Sequence, residues 1–163
     1  MSKPRPHHDY DAEAAVLGGI FLRPELLSKL SDLEAEDFAL AKHQAIWSAM
    51  LNLAALDQPI DQVTVAGELA RQGKARAFGS DDTDTGAMVF CAELTLRVPS
   101  VENVFEYART IQEHRGDRDA RRTLLECVEA IDDARRDDMR GDGFVQWARG
   151  ELGKLKLRGS TDT

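Results

Sequence analysis

Between Asp37 and Leu69, apolar residues recur at helical spacing in two runs separated by a turn. In the first run Ile46, Met50, Leu53 and Ala54 share one helical face, broadened by Trp47 and Leu51. Gln58 and Pro59 interrupt it, because a helix rarely continues into the residue before a proline. Asp61 is placed as the N-cap of the second run, since its carboxylate can accept from the free N–H groups of the following turn. Ile60 and Val65 flank it at the spacing of a hydrophobic staple. The second helix is expected to bury Val63, Ala66, Leu69 and Ala70, and Gly73 to end it.

Upstream, a first helix should begin near Asp9 or Asp11, where acidic residues suit the positive end of the helix dipole. Val16, Leu17, Ile20 and Phe21 form its buried side. Gly18 and Gly19 in its middle each cost on the order of 1 kcal/mol relative to alanine, which argues that another helix passes close by. Pro24 suits the first turn of a second helix carrying Leu26, Leu27 and Leu30, and Leu33 and Phe38 lead into the central stretch.

Downstream, residues 74–86 read as an acidic, turn-rich loop, and Ala87 to Leu96 as a short apolar helix. Pro99 and Ser100 open a long helical segment, with Ser100 as N-cap and Asn103 near the capping-box position. It runs through Val104, Ala108 and Ile111 to about Arg136, and its second half shows Leu124, Val128 and Ile131 at helical spacing, with Leu125 beside them. Gly116 predicts a weak point or kink in the middle. After a turn at residues 139–143, Phe144, Ala148, Leu152 and Leu155 form a last stripe, with Trp147 on its flank.

These elements define an all-α fold: a small helical head (9–98) followed by a long αα-hairpin (99–157) in the same domain unit. Residues 1–8 are expected to be a disordered tail, and 158–163 a polar one. A lone two-helix hairpin cannot bury both sides of its apolar surface. Leu124, Leu125, Val128, Ile131, Phe144, Trp147, Ala148, Leu152 and Leu155 either pack only on each other and on the head or are the contact residues for a second hairpin, which would give a four-helix bundle with C2 symmetry.

Composition narrows the chemistry. Of 163 residues, 42% are hydrophobic and 31% charged, enough for one domain with a real core and a solvated helical surface. Lysine plus arginine number 21 against 29 acids, hence 21 − 29 = −8, a field that repels nucleic acid. Arg115, Arg118, Arg121 and Arg122 could form a DNA-binding strip, but Asp117, Asp119 and Glu126 intersperse them as on an ordinary solvated face. Cys91 and Cys127 lack metal-ligand spacing and read as buried free thiols of a reducing cytoplasm. The N-terminus lacks the apolar core of a signal peptide, and no run approaches the ~18 apolar residues of a membrane span.

No catalytic, cofactor or metal site emerges. The chain holds no GxxxxGK[ST] phosphate loop and no GxGxxG; Gly73-Lys74 stands alone. His43 has no partner at a recognisable spacing and reads as a histidine satisfied by a backbone group. His7-His8-Asp9 lies in a tail without fixed geometry, and Asp81, Asp82 and Asp84 lack the order of a calcium loop.

The string Asp37-Phe38, His43, Ile46-Trp47, Pro59-Ile60-Asp61 and Val63-Thr64-Val65 resembles the N-terminal domain of the bacterial replicative DNA helicase, the DnaB family. Three further pieces agree in order: Glu13 to Leu22 with Pro24, Pro99-Ser100 with Asn103 and Tyr107-Ala108, and Arg121-Arg122 with Leu124. Together they span roughly residues 9 to 157. The acidic stretch at 79–86 departs from the shorter Gly-Gly turn usual in the family. The resemblance implies a non-catalytic collar domain that pairs through its hairpin into a homodimer or higher homo-oligomer. It also implies a landing site for primase and contact with DNA only indirectly. The ATPase half and the linker helix of the family are absent from the sequence. An alternative is a stand-alone mimic of the helicase domain that regulates helicase assembly or competes for primase.

Overall fold

Helix α1 (Tyr10–Leu22) is apolar on every side, and a helix of that kind is stable only when surrounded. A computed structural model of the chain describes residues 8–79, 84–136 and 142–153, and in it α1 is buried continuously from Ala12 to Phe21. Asp9 caps it, its Oδ1 accepting from the Ala12 N–H at 2.9 Å. The glycine pair marks close helix crossings. A Cβ on Gly18 would lie 2.2 Å from the Leu94 carbonyl oxygen of α5 (Thr85–Leu96), and one on Gly19 2.5 Å from Val104 Cγ2. The cost of two glycines mid-helix thus admits α5 and the start of the following helix to the backbone of α1.

Against α1 lie α2 (Leu26–Lys29), α3 (Ala41–Ala55) and α5, while α4 (Gln62–Arg71) packs on α3 and α5; short 3-10 turns occur at Ala35–Asp37, Ala75–Ala77 and Val101–Asn103. Pro24 sits in the turn before α2 rather than inside it, so that helix is a single turn, with Leu26 and Leu27 buried. Trp47, Phe38, Ile46, Met50 and Leu69 fill the interior, with Phe38 and Trp47 ring centroids 5.3 Å apart.

The α3–α4 connection follows the local rules closely. Asp61 Oδ1 accepts from the N–H groups of Val63 (2.9 Å) and Thr64 (2.8 Å), and Thr64 Oγ1 returns the bond by accepting from the Asp61 N–H at 3.0 Å. Ile60 is packed on the core beside fully buried Val65. Both helices end in the same motif. Gly73, at φ +70°, donates to the Ala70 carbonyl, and Lys74 donates to Leu69. At the end of α3, Asp57 takes the left-handed position at φ 53°, donating to Ala54 while Gln58 donates to Leu53.

Three face assignments are corrected. Val63 is 63% exposed, because Val65, Ala66 and Leu69 define the inward face of α4 and Val63 points away from them. Ala70 is half-buried. On α3, Ala54 and Leu51 are exposed while Ala49 is buried, so the inward face lies one position round from the expected one.

Helix α6 (Val104–Arg136) follows the turn at Val101–Asn103, and α7 (Asp142–Gly153) is the last described element. Ser100 takes the extended N-cap conformation of that turn, but its hydroxyl donates to Glu102 Oε2 at 2.9 Å instead of capping. Helical structure in α6 continues through Gly116. The chain divides into two compact units there, Met1–Arg115 and Gly116–Thr163. No strand occurs among the described residues, and no helix among them is long and apolar enough to cross a membrane. Cys91 is fully buried, which pushes its thiol up to about 12; Cys127 is half-buried, and both are free thiols.

Candidate interaction surface

Chemistry in this chain would need polar groups held away from water, and the head holds three such clusters. In the first, Glu13 projects from α1 into the interior, completely buried. Its Oε1 accepts from the Ala39 N–H at 2.7 Å; its Oε2 accepts from the Leu40 N–H at 3.3 Å and meets His43 Nδ1 at 2.7 Å. The N-cap of α3 is Leu40, which has no side-chain oxygen, so a carboxylate from α1 orders the entry to that helix from a distance. The His43 ring lies 5.9 Å from that of Phe90, and Lys42 Nζ stands 5.1 Å from the Phe90 centroid and 5.6 Å from that of Phe78. His43 is therefore satisfied by a carboxylate thirty positions away, not by the backbone group expected from sequence.

In the second cluster, nearly buried Glu68 on α4 accepts both Arg71 Nε and an Arg71 terminal nitrogen at 2.7 Å, and Gln72 Nε2 at 2.6 Å. These bonds, those of Arg71 first and Gln72 second, hold its carboxyl down from 4.5 to about 2. In the third, Asp37 Oδ2 accepts from the Glu34 N–H at 2.7 Å, closing the turn before Phe38. One terminal nitrogen of Arg115 bridges Glu34 (2.8 Å) and Asp37 (3.0 Å), and Gln112 Nε2 donates to the Asp32 carbonyl at 3.1 Å. The hydrogen bonds that Arg115 donates, to Glu34 first and to Asp37, raise its pKa further above its ordinary value. The first turns of α6 are thereby strapped to the head, with Val104, Ala108 and Ile111 buried beneath.

Each cluster is built from donors matched to acceptors within the fold. An open groove of about 470 Å³ beside α3 is lined by four alanines and Gly73, with Glu36, Lys42, Gln44, Ser48 and Lys74 at its polar positions. Among the described residues no group of His, Cys, Asp or Glu could hold a metal ion. The arginine strip is tied to acids: Arg115 as above, and Arg122 to Asp119 at 2.8 Å and Glu126 at 3.9 Å.

The second unit is different in kind. On its part of α6, Leu124, Leu125 and Val128 are 52%, 53% and 53% exposed, and Ile131 is half-buried. On α7, Val145 is exposed, while Phe144 and Trp147 are half-buried with ring centroids 6.2 Å apart. The backbone of α7 includes Ala148 and Leu152, whose side chains lie outside the described set, and Leu155 lies outside the described residues altogether. So, too, do residues 80–83 of the acidic stretch; Asp84 occupies the N-cap position of α5 without a side-chain capping bond.

Comparison with known proteins places the chain in a family. The family model described as the DnaB-like helicase N terminal domain matches residues 5–113, more than half of the chain. The chain belongs to that family. The replicative DNA helicase DnaB of Geobacillus stearothermophilus is 39% identical over 114 residues, covering 69% of this chain and 24% of the relative. That of Treponema pallidum is 34% identical over 149 residues, covering 90% of this chain and 32% of the relative. The chain thus spans about a quarter to a third of the length of these helicases. The crystal structure of the N-terminal domain of DnaB helicase from Mycobacterium tuberculosis superposes with a TM-score of 0.67 at 29% identity, covering 91% of this chain and 99% of that one. A structure of a DnaB-like replicative helicase and its interactions with primase shares the fold, with a TM-score of 0.64 at 24% identity over 93% of this chain and 32% of that one. The DnaB match is confined to the non-catalytic N-terminal domain, and full-length members of the family are helicases.

Glu13, Glu68 and the Arg115 clasp were not anticipated from sequence. A signal for Glu13 was present: it is a carboxylate inside the apolar run EAAVLGGIFL, on a helix with no polar side to put it on.

Proposed function

We propose that this chain is a non-catalytic oligomerisation and primase-docking module of a replicative DNA helicase, acting as a scaffold in DNA replication. The carrying observation is the row Leu124, Leu125 and Val128, each more than half exposed on α6, in a chain whose head has a well-filled core. Exposed leucines scattered singly are ordinary, but a row of them at helical spacing calls for a partner. In this reading residues 9–98 form the head and 99–157 a hairpin that pairs with a second copy. The contact runs through Leu124, Leu125, Val128 and Ile131 on α6, and through Phe144, Trp147, Ala148, Leu152 and Leu155 on the last helix. Primase is the heterologous partner, supported by the related helicase whose structure was solved with its primase interactions. DNA is reached only through the assembly, and the setting is the cytoplasm.

Light scattering across concentration tests the pairing. Wild type should be a dimer or larger, and Val128→Asp should be monomeric with unchanged helicity. A carboxylate buried there without a partner costs several kcal/mol, raising the dissociation constant more than about 100-fold. A wild type that stays monomeric at high concentration would refute the scaffold reading. Loss of pairing should also weaken capture of the cognate primase.

A further inference from the structure

We infer that the groove beside the first half of α3 docks an acidic peptide segment of a partner protein, one that sets apolar side chains on the alanine floor and carboxylates against Lys42 and Lys74. The inference goes beyond the pairing proposed above and does not depend on it, since every lining residue belongs to the head.

The shape of the groove suits a chain segment. Ala41, Ala45 and Ser48 stand at positions i, i+4 and i+7 of α3, so they form one strip along that helix. The rest of the lining comes from Ala35 and Glu36 in the turn before α3, and from Gly73, Lys74 and Ala77 after α4. No apolar side chain among these is larger than a methyl group, and small side chains at a contact let a second helix approach closely. The volume of about 470 Å³ falls within the about 300–1,000 Å³ usual for ligand clefts. Two of its polar groups are already satisfied. Gln44 Nε2 donates to the Phe38 carbonyl at 2.7 Å, and the Ser48 hydroxyl donates to the Gln44 carbonyl at 2.8 Å. An occupant therefore gains by covering the alanines, as an amphipathic helix does in a groove, and need not supply hydrogen bonds to the floor.

The charges give the sign of the occupant. Arg23, Arg71, Arg109 and Arg115 each hold a carboxylate at 3.0 Å or closer. Among the described residues, by contrast, no carboxylate lies within ion-pair distance of Lys42 or Lys74. In a chain of net charge −8, two unmatched lysines on one groove are a local reversal of sign. Lys42 is also positioned in advance, its Nζ 5.1 Å from the Phe90 centroid and 5.6 Å from that of Phe78. Glu36 repels carboxylates from its own part of the lining and so confines them to the lysines. Nucleic acid fits poorly. Two lysines neutralise few phosphates, the net charge repels a polyanion, and the lining offers no aromatic face on which a base could stack.

The test is fluorescence anisotropy on the full chain with a labelled helical peptide carrying alanine and leucine along one face and glutamates beside them. Its lysine-for-glutamate counterpart and an oligothymidylate serve as comparisons. The acidic peptide should bind saturably with a Kd below about 1 mM, more weakly as salt rises. Lys74→Glu turns an attraction into a repulsion and should weaken binding by about 10-fold. Ala41→Phe fills the groove from an exposed position and should weaken binding at least as much. Circular dichroism checks that each variant is folded, and either one alone decides the matter. Lys29→Glu, outside the groove, should bind as wild type does. Amide chemical shifts on titration should move at Ala35 and Glu36, in the first half of α3 and from Gly73 to Ala77. No saturable binding, binding that survives both groove substitutions, shifts centred elsewhere, or equal binding of the lysine peptide or the oligothymidylate would overturn the inference. Light scattering on the same samples keeps the two readings apart: a monomeric wild type that binds the peptide would remove the pairing and leave the groove assignment standing.

Discussion

Replacing Glu13 by alanine should destabilise the head more than any exposed substitution, because that carboxylate satisfies three groups at once. The Ala39 and Leu40 amides and His43 Nδ1 all lie between 2.7 and 3.3 Å from its oxygens. Removing the acceptor while leaving buried donors behind costs about 1–3 kcal/mol per group. The three bonds share one carboxylate and water entering the vacated space relieves part of the loss, so the total stays well below three such costs added together. A cost near 4 kcal/mol takes a large share of the roughly 5–15 kcal/mol that holds a domain together. Urea denaturation followed at 222 nm reads it directly, with the slope unchanged and the midpoint lowered. Glu13→Gln should lose less, because the amide oxygen still accepts one backbone N–H while its nitrogen confronts another donor. A Glu13→Ala stability within 1 kcal/mol of wild type would show that this carboxylate does not organise the α3 entry.

The glycines give a paired outcome: Gly18→Ala should lose several kcal/mol, its Cβ meeting the Leu94 carbonyl, whereas Gly116→Ala, with nothing within 4 Å, should gain about 1 kcal/mol of helix stability in thermal melts. Asp57→Gly should raise stability by about 1 kcal/mol, since the left-handed backbone at φ 53° strains any residue with a Cβ; an unchanged denaturation midpoint would refute this. Glu68 sets an acid limb. Its folded carboxyl is depressed, so its contribution is fully present above the ordinary 4.5 and disappears as pH falls toward about 2. Glu68→Gln should therefore differ from wild type most at neutral pH and converge with it across that window, and an offset constant with pH would contradict the assignment.

What could be read from sequence was what depends on neighbours along the chain. The Asp61 cap, the Gly73 terminus and the close crossing at Gly18-Gly19 each follow from a residue whose backbone chemistry admits few alternatives. The errors arose where three-dimensional neighbours decide. Val63 and Leu51 are as apolar as the residues that were buried in their place, and only the helices packed against them, α1 and α4 on α3 and α3 and α5 on α4, select which side faces inward. The capping box at Asp61 was half read, because Thr64 is a less familiar third-position partner than glutamate. Glu13 and His43 are separated by most of α1, all of α2 and the turn before α3, so no spacing rule joins them. The candidate contact residues form a regular stripe in sequence, but a stripe states only that something must cover it.

The two units handle polar and apolar residues in opposite ways, and this bears on how a scaffold of this kind works. In the head, buried acids are matched: Glu13 by two amides and an imidazole, Glu68 by Arg71 and Gln72, and Asp37 by Arg115 and the Glu34 amide. Such satisfied networks favour one arrangement, because any shift strands a donor or an acceptor in a low-dielectric interior. The Arg115 clasp extends that order to the last turn of α6 before the unit boundary. Beyond it the described apolar side chains of α6 lie substantially exposed and the charges pair along the helix surface, where each bond is weak and exchangeable. A surface made this way gains little from its own chain and much from a complementary helix that covers the leucines and offers opposite charge. In the scaffold proposed above, assembly would be carried by the unit whose interactions are incomplete, while the buried networks of the head are complete within its own chain.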